Sequence, residues 1–275
     1  MLGLGSSLTQ GFVTTASVSQ TLVASYDFNS DTGTDKSRSN LPTGWAAAGD
    51  GDFTLYGSTV NDNIAATNAW IFGDQSTGSS NTGPTNAHAG GPDSVGTAIT
   101  SGALSTVTDN SQRYLYYEAT GGGSSASAVK RHVIRTAELD FSNFVNVTMT
   151  FWFHACGAHF GNNRGVGVAA TTNATSASSA NQAGTGLGFT SDTAGGATIA
   201  YTDQGGGSQS VVRIGDSGEV QDNVGDDWIK ATVDLSNAAG QSSVYIHFAM
   251  FTSHEASSNN FAQDAAIDSI AIIAS

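Results

Sequence analysis

Apolar residues in this chain fall at alternate positions or in short runs, and in no stretch longer than about a dozen residues do they keep the three-and-four spacing of an amphipathic helix. Residues 112–120 show the alternation best: Tyr114 and Tyr116 share one face of an extended segment, and Leu115 and Tyr117 share the other. The same reading predicts strands over 21–30, 52–56, 69–72, 128–141, 145–155, 165–171, 186–190, 196–202, 209–214, 228–236, 242–252 and 266–273. A polar loop running to Pro42, a Gly/Ser/Asn/Pro segment over 73–94 and a polar tract over 172–184 carry turn chemistry between them. About ten to twelve of these segments forming strands, with glycine-rich turns between them, predict an all-β fold, a two-sheet antiparallel jelly-roll sandwich with long Gly/Ser/Asn-rich loops. No repeat of fixed period is present, which argues against a β-helix or propeller.

Residues 1–20 break the pattern. They are uncharged and punctuated by glycine, and their bulky groups are Leu2, Leu4, Leu8, Phe12 and Val13. Such a segment cannot bury those side chains on itself, so it is either a frayed leader or an extended N-terminal docking arm. Docking would contribute about 1.5–3 kcal/mol for each large apolar side chain fully buried. The expected organisation is an arm over 1–20 and a single sandwich domain over 21–275. Residues 1–12 show no basic region, and no Ala-x-Ala cleavage pattern follows, so no cleaved export signal is expected. No later stretch is apolar for long enough to span a bilayer as a helix.

Composition narrows the function classes. With 9 basic against 23 acidic residues the net charge is −14, the wrong sign for a nucleic-acid partner. The chain has 34 glycines and only 12% charged residues, as a turn-rich β protein does. Its one cysteine, Cys156, lies between Phe153 and Phe160 and reads as a buried thiol; no intrachain disulfide is possible, which points to folding in a reducing cytoplasm.

Several segments taken together resemble the MAM domain, an extracellular recognition module named for meprin, a neuropilin and a receptor phosphatase. Thr82-Gly83-Pro84-Thr85-Asn86-Ala87-His88 is similar to its TGP-x-x-DH element, and Arg113 to Ala119 to its Y-x-x-x-E-A element. Ala137-Glu138-Leu139 with Met149 to His154, then Trp228 to Leu235, Ser243 to Ala249 and Asp264 to Ile270, resemble later strands of the module in the right order. Tyr26-Asp27-Phe28 and Gly44-Trp45 sit where the family places its opening pieces. The resemblance spans roughly 25–273 and implies a jelly-roll adhesion module rather than an enzyme. The chain departs from the family in two ways: the acidic residue of DH is Ala87 here, and the paired cysteines are missing.

Candidate chemistry is sparse. Glu118 and Glu138, if on neighbouring strands, would suit a glycosidase pair about 5–9 Å apart. No G-x-S-x-G element and no H-x-x-x-H or H-E-x-x-H spacing occurs, and His154 and His159 would face opposite ways on a continuing strand, so zinc is not expected. The tryptophans, Trp45, Trp70, Trp152 and Trp228, could form a sugar platform, but core packing is the expectation for all except Trp70. The resemblance implies that the two chain ends pair in one sheet. Asp27 and Asp268 would then be neighbours, and with Asp31 and Asp93 from loops they would suit a structural calcium ion; the alternative is that each aspartate caps its own turn.

The expected function is non-enzymatic: a virion structural protein of a tailed phage, an accessory head decoration or a tail component, acting in assembly and surface adhesion. The composition resembles that of marine phage virion proteins. The expected partners are other capsid or tail proteins, further copies of the chain and a host surface glycan, with no nucleic acid and no membrane. The alternative is a secreted or surface-displayed adhesion or carbohydrate-binding module.

Overall fold

The computed structural model describes residues 19–29, 42–47, 69–73, 83–102, 104–105, 113–118, 129–157, 160–161, 164–175, 185–190, 195–253 and 264–275. In chain order the strands among them are β1 (Thr21–Tyr26), β2 (Ala46–Ala47), β3 (Ala69–Gly73), β4 (Leu104–Ser105), β5 (Tyr114–Glu118), β6 (Val129–Arg135), β7 (Val147–Cys156), β8 (Gly165–Thr171), β9 (Ile199–Thr202), β10 (Ser208–Val211), β11 (Arg213–Ile214), β12 (Trp228–Asp234), β13 (Tyr245–Ser253) and β14 (Asp264–Ala274). The described helical content is one 3-10 turn, Ser236–Ala238.

The strands form the expected antiparallel two-sheet sandwich. A nine-stranded sheet runs β10-β9-β12-β7-β14-β5-β3, and a five-stranded sheet runs β11-β8-β13-β6-β2. In the larger sheet, two strands serve two neighbours end to end along one edge. β14 pairs with β7 on one side, while β5 takes its 265–267 end and β1 its 270–274 end on the other. β12 likewise lends Trp228 and Ile229 to β4 and residues 231–233 to β9. The first and last described strands, β1 and β14, therefore pair in one sheet.

Alternation puts Met149, Phe151, Phe153 and Ala155 of β7 and Ile229, Ala231 and Val233 of β12 into the space between sheets. Opposite them lie Val166, Val168 and Ala170 of β8 and Ile246, Phe248 and Met250 of β13. Phe151 meets Phe248 edge to face, ring centroids 5.6 Å apart. In β14 the inward set is Ala265 and Ile267, then Ile270, Ile272 and Ala274; the phase slips at a register shift between Asp268 and Ala271.

Three strand expectations need correction. Residues 209–214 divide between the two sheets as β10 and β11. Residues 128–141 leave the ladder after Arg135 and return only at the Leu139–Val244 bridge. Within 186–190, Leu187 and Phe189 make isolated bridges to Ala170 and Gly195 rather than a strand. The strand predicted over 52–56 lies outside the described residues.

Candidate functional site

Strand alternation that fills the core leaves an opposite set on the outer face of the larger sheet: Tyr114 and Tyr116 of β5, Thr150, Trp152 and His154 of β7, Trp228 and Lys230 of β12, Ala266 and Asp268 of β14. Segment 83–102, expected in part as a loop, covers this face. Ala87 packs with Tyr114, Tyr116, Trp228 and Ala266 in a second small core, with Trp152 against it. The indole N–H of Trp228 donates to the Asn86 carbonyl at 3.0 Å, and Gly102 N–H donates to the Lys230 carbonyl at 3.0 Å. Asp93 Oδ2 pairs with Lys230 Nζ at 2.7 Å and accepts from Thr150 Oγ1 at 2.9 Å, pinning the middle of the segment. An aspartate at position 87 would have to bury its charge among these rings, so the departure from the DH pattern suits this packing.

His88 stacks on Trp152 at 4.2 Å and 17°. Its Nδ1 lies 3.1 Å from Ser269 Oγ, which in turn donates to the Gly90 carbonyl at 2.7 Å. With the hydroxyl proton committed to Gly90, Nδ1–H is the donor to Ser269, the reverse of what activates a serine nucleophile. Burial pushes the His88 imidazole down to about 4, against the opposing pull of the Gly90 backbone and the Asp93 charge. Ser269 is 3% exposed, so the pair fastens segment 83–102 to the sheet and offers no reacting atom to a substrate.

Asp268 is 1% exposed and accepts Ser269 N–H at 2.6 Å. Burial raises its carboxyl well above the usual range; backbone hydrogen bonds from Ser269 and His88 oppose the shift, and the nearby Asp27 charge adds to it. Phe28 (φ 55) and Ser269 (φ 51), each next to one of these aspartates, hold left-handed backbone conformations uncommon for non-glycine residues. Asp27 Oδ1 accepts Asn29 N–H at 3.2 Å, so each aspartate serves its own turn, and the Asp27 charge acts on Asp268 beside the β1–β14 pair. Asp93 is engaged by Lys230, and among the described residues no group of three or more His, Cys, Asp or Glu comes together to hold a metal. A calcium ion at Asp27 and Asp268 would have to draw most of its six to eight oxygens from carbonyls and water.

The remaining candidates separate. Glu118 ends β5 in the larger sheet, whereas Glu138 follows β6 of the smaller one and accepts the Tyr245 hydroxyl at 3.0 Å, so the two are not on neighbouring strands. Trp45, Trp70 and Trp228 are buried and Trp152 is half-buried under segment 83–102; Trp70, for which core packing was not the expectation, belongs to the main core. His154 is fully buried, and among the described residues neither ring nitrogen has a hydrogen-bond partner, although the Asn223 and Asp226 backbone lies near. Cys156 is the buried thiol expected, pushed up to about 12 by desolvation and by surrounding carboxylates. Leu2, Leu4, Leu8, Phe12, Val13, Asp31 and His159 lie outside the described residues.

One feature escaped sequence reasoning. Between the β9–β10 turn and loop 215–222 an open groove of about 350 Å³ is lined by Tyr201, Asp203, Gln209, Ser217, Glu219 and Asp222, among others. Asp203 Oδ1 accepts Gly207 N–H and Oδ2 accepts Gln209 Nε2–H, both at 2.7 Å, and Glu219 Oε2 accepts Gly157 N–H at 3.3 Å. Each contributing segment reads as an ordinary turn; only folding brings their carboxylates to one place.

No protein-family model and no curated protein matches the chain, so the resemblance to the MAM domain rests on the motifs quoted above. Among solved structures it is similar to the K1 cleaved adhesin domain of Lys-gingipain from Porphyromonas gingivalis, at 17% identity over 92% of this chain and 98% of that one, TM-score 0.42. The K3 cleaved adhesin domain of the same protein gives 16% identity, the same coverage and a TM-score of 0.40. The enzymatically active domain of tailspike protein 4 of bacteriophage CBA120 gives 12% identity over 74% of this chain and 19% of that one, TM-score 0.24. At these identities and scores none of the likenesses carries a function to this chain.

Proposed function

We propose that the chain is a non-enzymatic recognition and assembly module, an accessory head or tail component of a tailed-phage virion that presents loops from a rigid sandwich. The observation that carries the non-enzymatic reading is the commitment of the candidate reactive groups to structure. Ser269 and His88 tie down segment 83–102, Asp93 neutralises Lys230, and Glu138 accepts from Tyr245. The virion assignment rests on the apolar arm over 1–20 and on a lone buried Cys156 that leaves the sandwich without bridges. The arm would dock on a capsid or tail protein or on a second copy. The test is incorporation: the intact chain should co-sediment with particles of the encoding phage, and a chain lacking residues 1–20 should keep its melting temperature but stay in the supernatant. An intact chain that never associates with particles refutes the virion assignment.

The second reading, a secreted or surface-displayed adhesion or carbohydrate-binding module, is favoured by the open polar groove beside loop 215–222. Both readings share surface adhesion as the activity and loop ends as its location. Structural calcium at Asp27 and Asp268 is part of either.

A further inference from the structure

The groove bounded by Asp203 and loop 215–222 has a definite chemistry. Its walls supply carboxylate acceptors from Asp203, Glu219 and Asp222, amide groups from Gln209, a hydroxyl from Ser217 and the phenol edge of Tyr201. Among the described residues the lining contains no Lys, Arg or His. We infer that this groove is a binding site for a short neutral saccharide, an inference that rests on the adhesion reading above.

Several observations support it. The acceptors are preset: Asp203 closes its own turn, with its N–H donating to the Gly207 carbonyl at 2.9 Å while its carboxylate holds Gly207 N–H and Gln209. Loop 215–222 is fixed by Val220 N–H and Gln221 N–H donating to the Ala155 carbonyl at 3.1 and 3.2 Å, and by Gln221 Oε1 accepting Ala155 N–H at 2.7 Å. Walls held in this way lose little freedom on binding. Each carboxylate oxygen already accepting one N–H keeps capacity for another donor, which suits the hydroxyls of a polyol. The floor is firm, since the Tyr201 ring packs edge to face on Phe153 at 5.1 Å inside the main core. The volume lies at the lower end of ligand sites, which run about 300–1,000 Å³, so one or two sugar units fit rather than a long chain. Three carboxylates without a basic partner repel uronic acids, sialic acids and sulfated sugars.

Saturation-transfer NMR on the full chain with lactose, maltose, cellobiose and mannobiose, each beside an anionic uronic-acid disaccharide, tests the inference. At least one neutral disaccharide is expected to bind and the anionic ones are not. Asp222→Asn, at an exposed position, should weaken binding about tenfold, as loss of a charged hydrogen-bond acceptor does. Ser217→Trp, also exposed, should abolish it by filling the groove. Glu138→Gln, whose partner Tyr245 lies on the other sheet, should change nothing. The site is overturned if no neutral disaccharide binds, if both groove variants bind as the parent does, or if the uronic-acid disaccharides bind equally well. Co-sedimentation with particles separates the two claims: its retention when the panel fails removes the groove and keeps the assembly module.

Discussion

The buried histidines make acid stability the sharpest test of the fold's electrostatics. His88, His154 and His247 are each no more than 2% exposed, and desolvation is the leading cause that lowers each imidazole from 6.5 to about 4. His247 Nε2 lies 3.0 Å from Thr171 Oγ1 and 3.2 Å from the Asn173 carbonyl, and the Arg135 charge disfavours its protonation further. A group whose folded pKa is depressed binds fewer protons folded than unfolded, so stability is flat above pH 6.5 and falls as pH drops from there toward 4. At about 1.4 kcal/mol per pH unit each ring accounts for about 3 kcal/mol, and the three together for about 10. Asp268 acts with the opposite sign: its raised carboxyl adds stability that is full below its unfolded value and is lost as pH rises through its folded value, so it offsets part of the loss. The net is comparable with the whole stability of an ordinary domain, about 5–15 kcal/mol. Urea unfolding followed by tryptophan fluorescence should show a midpoint that collapses between pH 6.5 and pH 4. His154→Phe should be neutral or stabilising at pH 7, because it removes two buried nitrogens that have no hydrogen-bond partner among the described residues, and should remove about a third of the acid loss. An equal midpoint at pH 7 and pH 4.5 would refute the reasoning.

Three further outcomes are expected. Asp93→Ala leaves the buried Lys230 ammonium uncompensated and should cost about 3–5 kcal/mol in chemical denaturation, most of it recovered in the Asp93→Ala/Lys230→Met double variant; a single-variant cost below about 1 kcal/mol would show that the pair pins nothing. Gly165 has φ +126 and a Cβ there would overlap the Ile214 carbonyl oxygen, so Gly165→Ala should cost at least about 2 kcal/mol, and an unchanged melting temperature would contradict the β8–β11 pairing. If calcium sits at Asp27 and Asp268, chelation should lower the melting temperature and Asp268→Asn should remove that response; identical melts with calcium and with chelator would eliminate the ion.

Strand faces were legible wherever alternation is strict. Tyr114 and Tyr116 oppose Leu115 and Tyr117 as read, because period-2 geometry leaves no other arrangement for consecutive strand residues. The last strand was placed to within two residues, but its phase slip at Asp268 and Ser269 was invisible, since nothing in Ile-Asp-Ser-Ile marks a left-handed serine. The 83–94 stretch was correctly denied strand structure by its Gly, Pro and Asn content. Its burial was not legible, because what buries Ala87 and His88 is a face built from four distant strands. The split of 209–214 was missed because a change of sheet needs no composition signal beyond one unpaired residue, Val212. The groove's carboxylates come from two turns, Asp203 in one and Glu219 and Asp222 in the other, at least sixteen residues apart in sequence and each with its own bland explanation.

The ordered motifs that resemble the MAM domain acquire a single physical meaning here. Ala87, His88, Tyr114, Tyr116, Trp152, Trp228 and Asp268 come from separate motifs and converge under one covering segment. A sheet with one face on the main core would ordinarily leave its other face to water. Here segment 83–102 closes that face over β5, β7, β12 and β14, so β5 and β7 carry aromatic residues on both sides and look richer in candidate chemistry than they are. The set of motifs that resembles the MAM domain is therefore a packing pattern, and its aromatics are withdrawn from any sugar platform. The recognition proposed above is left to what packing does not consume, which is the loop ends. Of these, the carboxylates and amides around Asp203 and Asp222 form a groove without taking part in either core. Changing the packing pattern should alter stability and leave specificity alone; changing the groove should do the reverse.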